Sequence, residues 1–142
     1  RAPGAGRVTV ARPEDAATIA HLDAAAFGAD RSPVLEPLLA AHGALVDADG
    51  RGYAVVQRNA ASAVVGPWVA LDEVVARDLL DAALAAAVDE PVSLFVPSIN
   101  VAAVSLATAA GFVARRSLRH MIRGAGALPS STLFGRANLG QG

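Results

Sequence analysis

The sequence predicts a mixed α/β domain, a central mixed sheet of about six to seven strands flanked by about four helices. Three observations carry that expectation. Strand-length apolar segments between Ala44 and Val69 are punctuated at Asp49-Gly50 and at Asn59 to Ser62, which is hairpin spacing. Val75, Leu79, Ala83, Leu84 and Ala87 recur on one face of a long helix. The run P-S-I-N-V-A-A-V-S-L-A-T-A-A-G-F, from Pro97 to Phe112, reads as a strand end, a capped helix and a glycine stop.

The elements follow in order. Val8 to Ala11 is a short strand. Pro13 suits a first helical turn, where its missing N–H costs nothing, and Glu14 and Asp15 complement the positive end of the helix dipole. Ile19, Leu22 and Ala26 continue one apolar stripe, which Phe27-Gly28-Ala29 breaks. Ser32-Pro33 starts a second helix with Leu35, Leu38 and Leu39 inward and a stop at Gly43. Pro37 lacks a helical N–H and predicts a short or kinked helix there. Ala44 to Asp47 and Gly52 to Arg58 form a hairpin, because Asp-Gly supplies the positive φ of such turns. The chain turns again into Ala63 to Val69. Asp72 to Val88 is the longest helix, and Pro91 precedes a buried strand, Val92 to Val96. After the helix that Asn100 starts, Val113 to Arg123 is a long strand and Leu133 to Ala137 a last one.

Composition excludes several kinds of function. At 142 residues the chain suits one domain with a real core. Arg1 to Gly6 lacks the apolar centre of a signal peptide, so residues 1–7 are expected to be a flexible linker before a single domain, 8–142. The chain reads as a piece of a longer, cytoplasmic protein. Although 54% of residues are hydrophobic, no run approaches the roughly 18 uninterrupted apolar residues of a membrane span. A net charge of −1 gives no general pull toward nucleic acid or anionic membrane. All basic residues are Arg. With no Cys there is no disulfide, thiolate catalyst or zinc–thiolate site, and three scattered histidines leave little for a metal.

The Asn100-to-Gly111-Phe112 spacing resembles the last helix of the GNAT superfamily of N-acetyltransferases, N-x-x-A-x-x-L-Y-x-x-x-G-F, with Ala103 and Leu106 on the pattern. The opening A-R-P-E-D-A-A-T-I-A-H-L-D is similar to that family's first strand and helix. F-G-A-D-R (Phe27 to Arg31), G-Y-A-V-V (Gly52 to Val56), G-P-W-V-A (Gly66 to Ala70), the A-R-D-L-L helix and M-I-R-G (Met121 to Gly124) resemble the carboxy-terminal domain of tandem-GNAT acetyltransferases. The resemblance implies the GNAT fold and acetyl-CoA as cofactor. It also implies direct attack of a primary amine on the acetyl group, without metal. The backbone of Trp68, Val69 and Ala70, the helix start at Ala76 and Arg77, and Asn100 would contact the cofactor. In such folds the cleft lies in the splay between the Val69 and Val96 strands.

Two departures stand against the family pattern. Its pyrophosphate loop, Q/R-x-x-G-x-G/A, offers free backbone N–H groups at a positive helix end. Here Leu71-Asp72-Glu73-Val74-Val75-Ala76 takes that place, and only Ala76 conforms. Asp72 and Glu73 put carboxylates where phosphates would sit, and two charges about 4 Å apart near a surface interact by roughly 4 kcal/mol. The plain reading is that Asp72 caps the helix and Glu73 complements its dipole. The second departure is Ala107, which stands at the family's tyrosine acid. Acetyl-CoA binding is thus expected to be weakened or lost, unless a variant loop retains it. No catalytic residue is assigned.

Other polar residues have both a functional and a structural reading. Tyr53, the only tyrosine, belongs inside a hairpin strand as a core or edge residue. His21 and His42 read as solvated, and His120 as a core histidine. Arg115, Ser117, Arg119, Met121 and Arg123 share one strand face, either an anion-docking surface or a solvated one. Asp30 and Arg31 lie where such folds shape the acceptor cleft. Asp30 would hold an amine or Arg31 an acid; the alternative is a structural ion pair or a helix start capped at Ser32. Trp68 either lines the cleft or belongs to the core. The expected partners are a small-molecule amine or a second GNAT domain, with a homodimer as a further arrangement. A non-catalytic interaction or ligand-sensing module is the alternative outside enzymes.

Overall fold

The computed structural model describes residues 7–115 and 130–137. Its elements are β1 (Val8–Val10), a 3-10 turn (Pro13–Asp15), α1 (Ala16–Phe27), α2 (Ser32–His42) and β2 (Leu45–Asp47). They continue with β3 (Gly52–Arg58), β4 (Ala63–Ala70), α3 (Glu73–Ala86), β5 (Val92–Ser93), α4 (Val101–Ala109) and β6 (Leu133–Gly135). Arg7, the last residue of the expected linker, is already tied down. Its carbonyl accepts from Ala48 N–H at 2.6 Å and its guanidinium lies 3.2 Å from Asp49.

β1 to β4 form an antiparallel meander in chain order, and β5 joins β4 in parallel. The Asp49-Gly50 turn behaves as its chemistry requires. Gly50 has φ +70, and Asp47 Oδ2 accepts from the backbone N–H of Asp49 and Arg51 at 3.1 and 3.2 Å. β4 carries an extra residue opposite β3, because Ala54 faces Trp68 while Val56 faces Val65. Gly66-Pro67, joined by a cis peptide bond, lies in this bulge.

The two faces of the sheet bury separate clusters. α3 and α4 cover one with Val75, Ala76, Leu79, Leu80, Ala103 and Leu106 against Ala54, Trp68 and Phe134. α1 and α2 cover the other with Ile19, Leu22, Ala26 and Leu35 against Tyr53, Val55, Val69 and Leu133. Val75 and Leu79, and Ile19, Leu22, Ala26 and Leu35, belong to the helical stripes read from the sequence, and Ala76 and Leu80 widen the α3 stripe. Pro37 lies inside α2, exposed, and the helix continues to His42.

Two strand expectations need correction. The Val92 strand ends at Ser93 rather than Val96, because β5 pairs with β4 only at Ala63–Val92 and Val64–Ser93. Beyond that point the edge of β4 belongs to another strand. Residues 113–115 are exposed and not in a strand, and the rest of the expected Val113 to Arg123 strand lies outside the described residues. His120 and the Arg-bearing face fall there too, apart from Arg115.

Candidate functional site

β4 and β5 run together for two residue pairs and then separate, which opens a slot along β4 from Gly66 to Ala70. β6 fills that slot. It lies antiparallel to β4, with Trp68 opposite Gly135 and Val69 opposite Leu133. Ala70 N–H donates to the Thr132 carbonyl at 3.0 Å, and Arg136 N–H reaches the Phe95 carbonyl at 2.9 Å. The inserted segment therefore bridges both walls. The fit depends on two glycines: a β-carbon on Gly66 would lie 2.0 Å from the Arg136 carbonyl oxygen, and one on Gly135 would press on Trp68 at 3.3 Å. Gln57 fastens the end of the segment, donating from Nε2 to the carbonyls of Gly66 and Ala137 at 2.7 and 2.9 Å.

Asn100 holds the other end. Its Oδ1 accepts from Ala103 N–H at 3.0 Å, the helix cap expected from sequence. Its Nδ2 donates to the carbonyls of Ser131 and Leu133 at 3.1 and 3.0 Å. One side chain thus starts α4 and anchors β6. At the far end of α4, Gly111 has φ +95; its N–H bonds to Thr108, and that of Phe112 to Ala107, both at 3.0 Å. This is a Schellman stop.

The start of α3 is also engaged by the chain itself. Asp72 Oδ1 accepts from Val75 N–H at 2.9 Å, and Oδ2 accepts from the Arg51 guanidinium at 2.8 Å. The backbone N–H of Val75 first, and Arg51 second, hold the Asp72 carboxyl below its usual range. Asp72 raises the Arg51 pKa in return. Ala76 is fully buried and its carbonyl accepts from Trp68 Nε1 at 3.1 Å. Arg77 is exposed. It lines a groove of about 180 Å³ between α3 and α4 with Leu80, Asp81, Leu106, Ala109 and Ala110.

No acid stands at the tyrosine position, since Ala107 is packed into the core. Tyr53 is buried too, and its hydroxyl donates to Asp23 at 2.5 Å. Burial and the neighbouring Asp23 charge raise its pKa far above the usual phenol value, so it holds its proton. His21 and His42 face solvent. Among the described residues no group of His, Asp and Glu could hold a metal ion, and no helix is long and apolar enough to cross a membrane.

Arg31 pairs with an acid of its own chain, Asp23, through Nε and Nη2, each at 3.0 Å. Its guanidinium lies 3.4 Å over the Phe27 ring. Asp30 is exposed and accepts from Ser32 N–H and Oγ at 3.0 and 2.6 Å; the hydroxyl contact is the main cause of its lowered pKa. The neighbours Asp30 and Arg31 thus have separate roles, a helix-start turn and a buried ion pair. Trp68 is wholly buried, 5.2 Å from the Phe134 ring centre. Sequence reading missed Asp23 and Gln57. A carboxylate four residues after Ile19, on an otherwise apolar helix face, is the signal that could have found Asp23.

Residues 19–135 match the family model described as an acetyltransferase (GNAT) domain. The chain belongs to the GNAT acetyltransferase family. Domains of this family generally bind acetyl-CoA and carry out acetyl transfer. A crystal structure of a candidate acetyltransferase from Pyrococcus horikoshii is similar to this GNAT domain, with a TM-score of 0.57 and 26% identity. The match covers 70% of this chain and 33% of that one, so the domain spans about a third of its structural relative. No curated protein matches.

Proposed function

We propose that this GNAT domain is the accessory, carboxy-terminal member of a tandem-GNAT acetyltransferase. The whole protein would move an acetyl group from acetyl-CoA to a primary amine by direct attack. Acetyl-CoA binds in the partner domain, and this domain supplies a wall of the acceptor cleft and a packing interface. The observation that carries this reading is β6 in the β4 slot. The resemblance assigns three regions of cofactor contact, and the chain's own groups engage part of each, although Arg77 is exposed. The edge of β4 at Trp68 to Ala70 pairs with β6, the Asn100 amide reads two of that segment's carbonyls, and Asp72 caps the start of α3.

Magnitudes favour an integral strand over a displaceable one. Leu133 and Phe134 are 1% and 3% exposed. Each would cost about 2 kcal/mol to uncover, before any hydrogen bond is lost. Acetyl-CoA would have to supply that energy in addition to its own ordering cost. The match to only 33% of the Pyrococcus horikoshii chain agrees with a larger protein in which another region holds the cofactor.

Calorimetric titration of acetyl-CoA into the 142-residue chain tests the reading. No heat and no rise in melting temperature are expected. Saturable binding would overturn the accessory role and restore the variant-loop alternative, with contacts from Trp68, Val69, Ala70, Ala76, Arg77 and Asn100.

A further inference from the structure

From Val101 to Ala110 the chain carries no charged residue, and α4 is apolar on both sides. Its inner side, Ala103, Leu106 and Ala107, is buried in the domain. Its outer side is a second stripe at helical spacing: Val101, Val104, Ser105, Thr108 and Ala109, all exposed. The neighbouring α3 differs, presenting Glu73, Arg77 and Asp81 to solvent. A helix that is apolar all round belongs inside a structure rather than on its surface. Among the described residues nothing covers the outer stripe.

We propose that a second copy of this chain covers the stripe, through an antiparallel α4–α4 contact about a two-fold axis at Ser105. Two observations point to a copy rather than to a different protein. The first is charge. Near a two-fold axis each residue lies close to its own counterpart, so a charge there would face its like. Residues 101–110 supply none, and the flanking Arg77 and Asp81 have opposite signs. The second is shape. Val101 and Val104, 73% and 43% exposed, stand out from the first half of α4. The groove of about 180 Å³ runs along its second half, beside Leu106, Ala109 and Ala110. An antiparallel pairing centred on Ser105 sets Val101 opposite Ala109 and Val104 opposite Leu106. Each copy's valines then enter the other's groove, a reciprocity that only a second copy requires. Ser105 and Ala109 are small, so the two helix axes can approach to the short end of the roughly 8–10 Å range. The 9 residues of α4 span about 13 Å. The contact therefore falls below the roughly 800 Å² per partner of a standard interface, and association is weak and concentration-dependent.

Sedimentation velocity of the 142-residue chain over about a hundredfold range of concentration measures the association. A monomer–dimer equilibrium is expected. Val104 is exposed and lies near the helix start, where a carboxylate suits the dipole. Val104→Asp is therefore expected to keep its melting temperature and to associate at least about tenfold more weakly. Mixing Val104→Asp with Val104→Lys chains should restore dimers, since unlike charges then meet across the axis. The chain has no Cys, so Ser105→Cys reports the axis by itself. Mild air oxidation should link it into a covalent dimer faster than Thr18→Cys, an exposed position on α1. A monomer at every concentration overturns the proposal and gives the stripe to a different protein. A dimer that Val104→Asp leaves unchanged, or equal cross-linking at the two cysteines, overturns its placement on α4. Failure of the mixture to associate overturns the two-fold arrangement. No probe contains acetyl-CoA or an amine, so the outcome stands apart from that of the proposed function.

Discussion

The carbonyl oxygen of Arg136 lies 2.0 Å from where a β-carbon on Gly66 would sit. The two residues are 70 positions apart in sequence, yet neither backbone can move without the other. Gly66→Ala therefore forces the β6 segment out of register or away from β4. The expected cost is about 3 kcal/mol, read from urea denaturation, because backbone rather than a flexible side chain must yield. A loss below about 0.5 kcal/mol would show that the segment is loosely held.

Asn100 does two jobs, and substitutions separate them. Asn100→Asp keeps the oxygen that caps α4 but loses the amide donors to Ser131 and Leu133. Asn100→Ala loses both functions. The cap is worth about 1 kcal/mol, and carbonyls left unpaired in the interior cost roughly 1–3 kcal/mol more. Hydrogen exchange at Leu133 and Phe134 should rise in both variants. Exchange at the first turn of α4 should rise chiefly in Asn100→Ala.

Asp72 sets a pH limit on stability. Its folded pKa lies below the ordinary carboxylate value, chiefly through the Val75 N–H, so it binds protons less readily folded than unfolded. The contribution is thus fully present above about pH 4 and is lost as pH falls through the folded value. Asp72→Asn retains a cap and should flatten that part of the profile. The measurement is chemical denaturation from neutral to strongly acidic pH. A variant with an unchanged acid limb would assign that limb to another carboxylate.

The Asp23–Arg31–Tyr53 trio predicts non-additive losses. Arg31→Ala leaves a buried carboxylate without its cation, at about 3–5 kcal/mol. Tyr53→Phe removes one neutral donor to the same carboxylate, at about 1–2 kcal/mol. Arg31 and Tyr53 share Asp23, so the double variant should depart from the sum by at least about 0.5 kcal/mol. Additive losses would show that the network does not act as a unit.

Much of the fold was legible because it is written in local chemistry. Asn100 and Gly111 bound α4, Asp49-Gly50 turns the hairpin, and Ile19, Leu22 and Ala26 mark the buried face of α1 through spacing alone. Other parts were not. Asp30 and Arg31 are adjacent in sequence and were read together, but folding sends one to a solvent-facing turn and the other to Asp23. Spacing shows which face of an element a side chain is on, not which distant carboxylate it will meet.

The sequence by itself determined the scaffold, the caps and the two places, Leu71 to Ala76 and Ala107, at which its residues differ from the usual GNAT pattern. Only the tertiary structure decided what stands in the slot beside β4. A three-residue strand has too little periodicity to reveal its partner, and pairing between Val69 and Leu133 links residues 64 positions apart. Gly66 and Gly135 allow the close approach, since glycine inside a strand leaves room for another backbone. Which backbone arrives there is settled by the whole fold, once the slot, the Asn100 amide and the buried Trp68 face are assembled together.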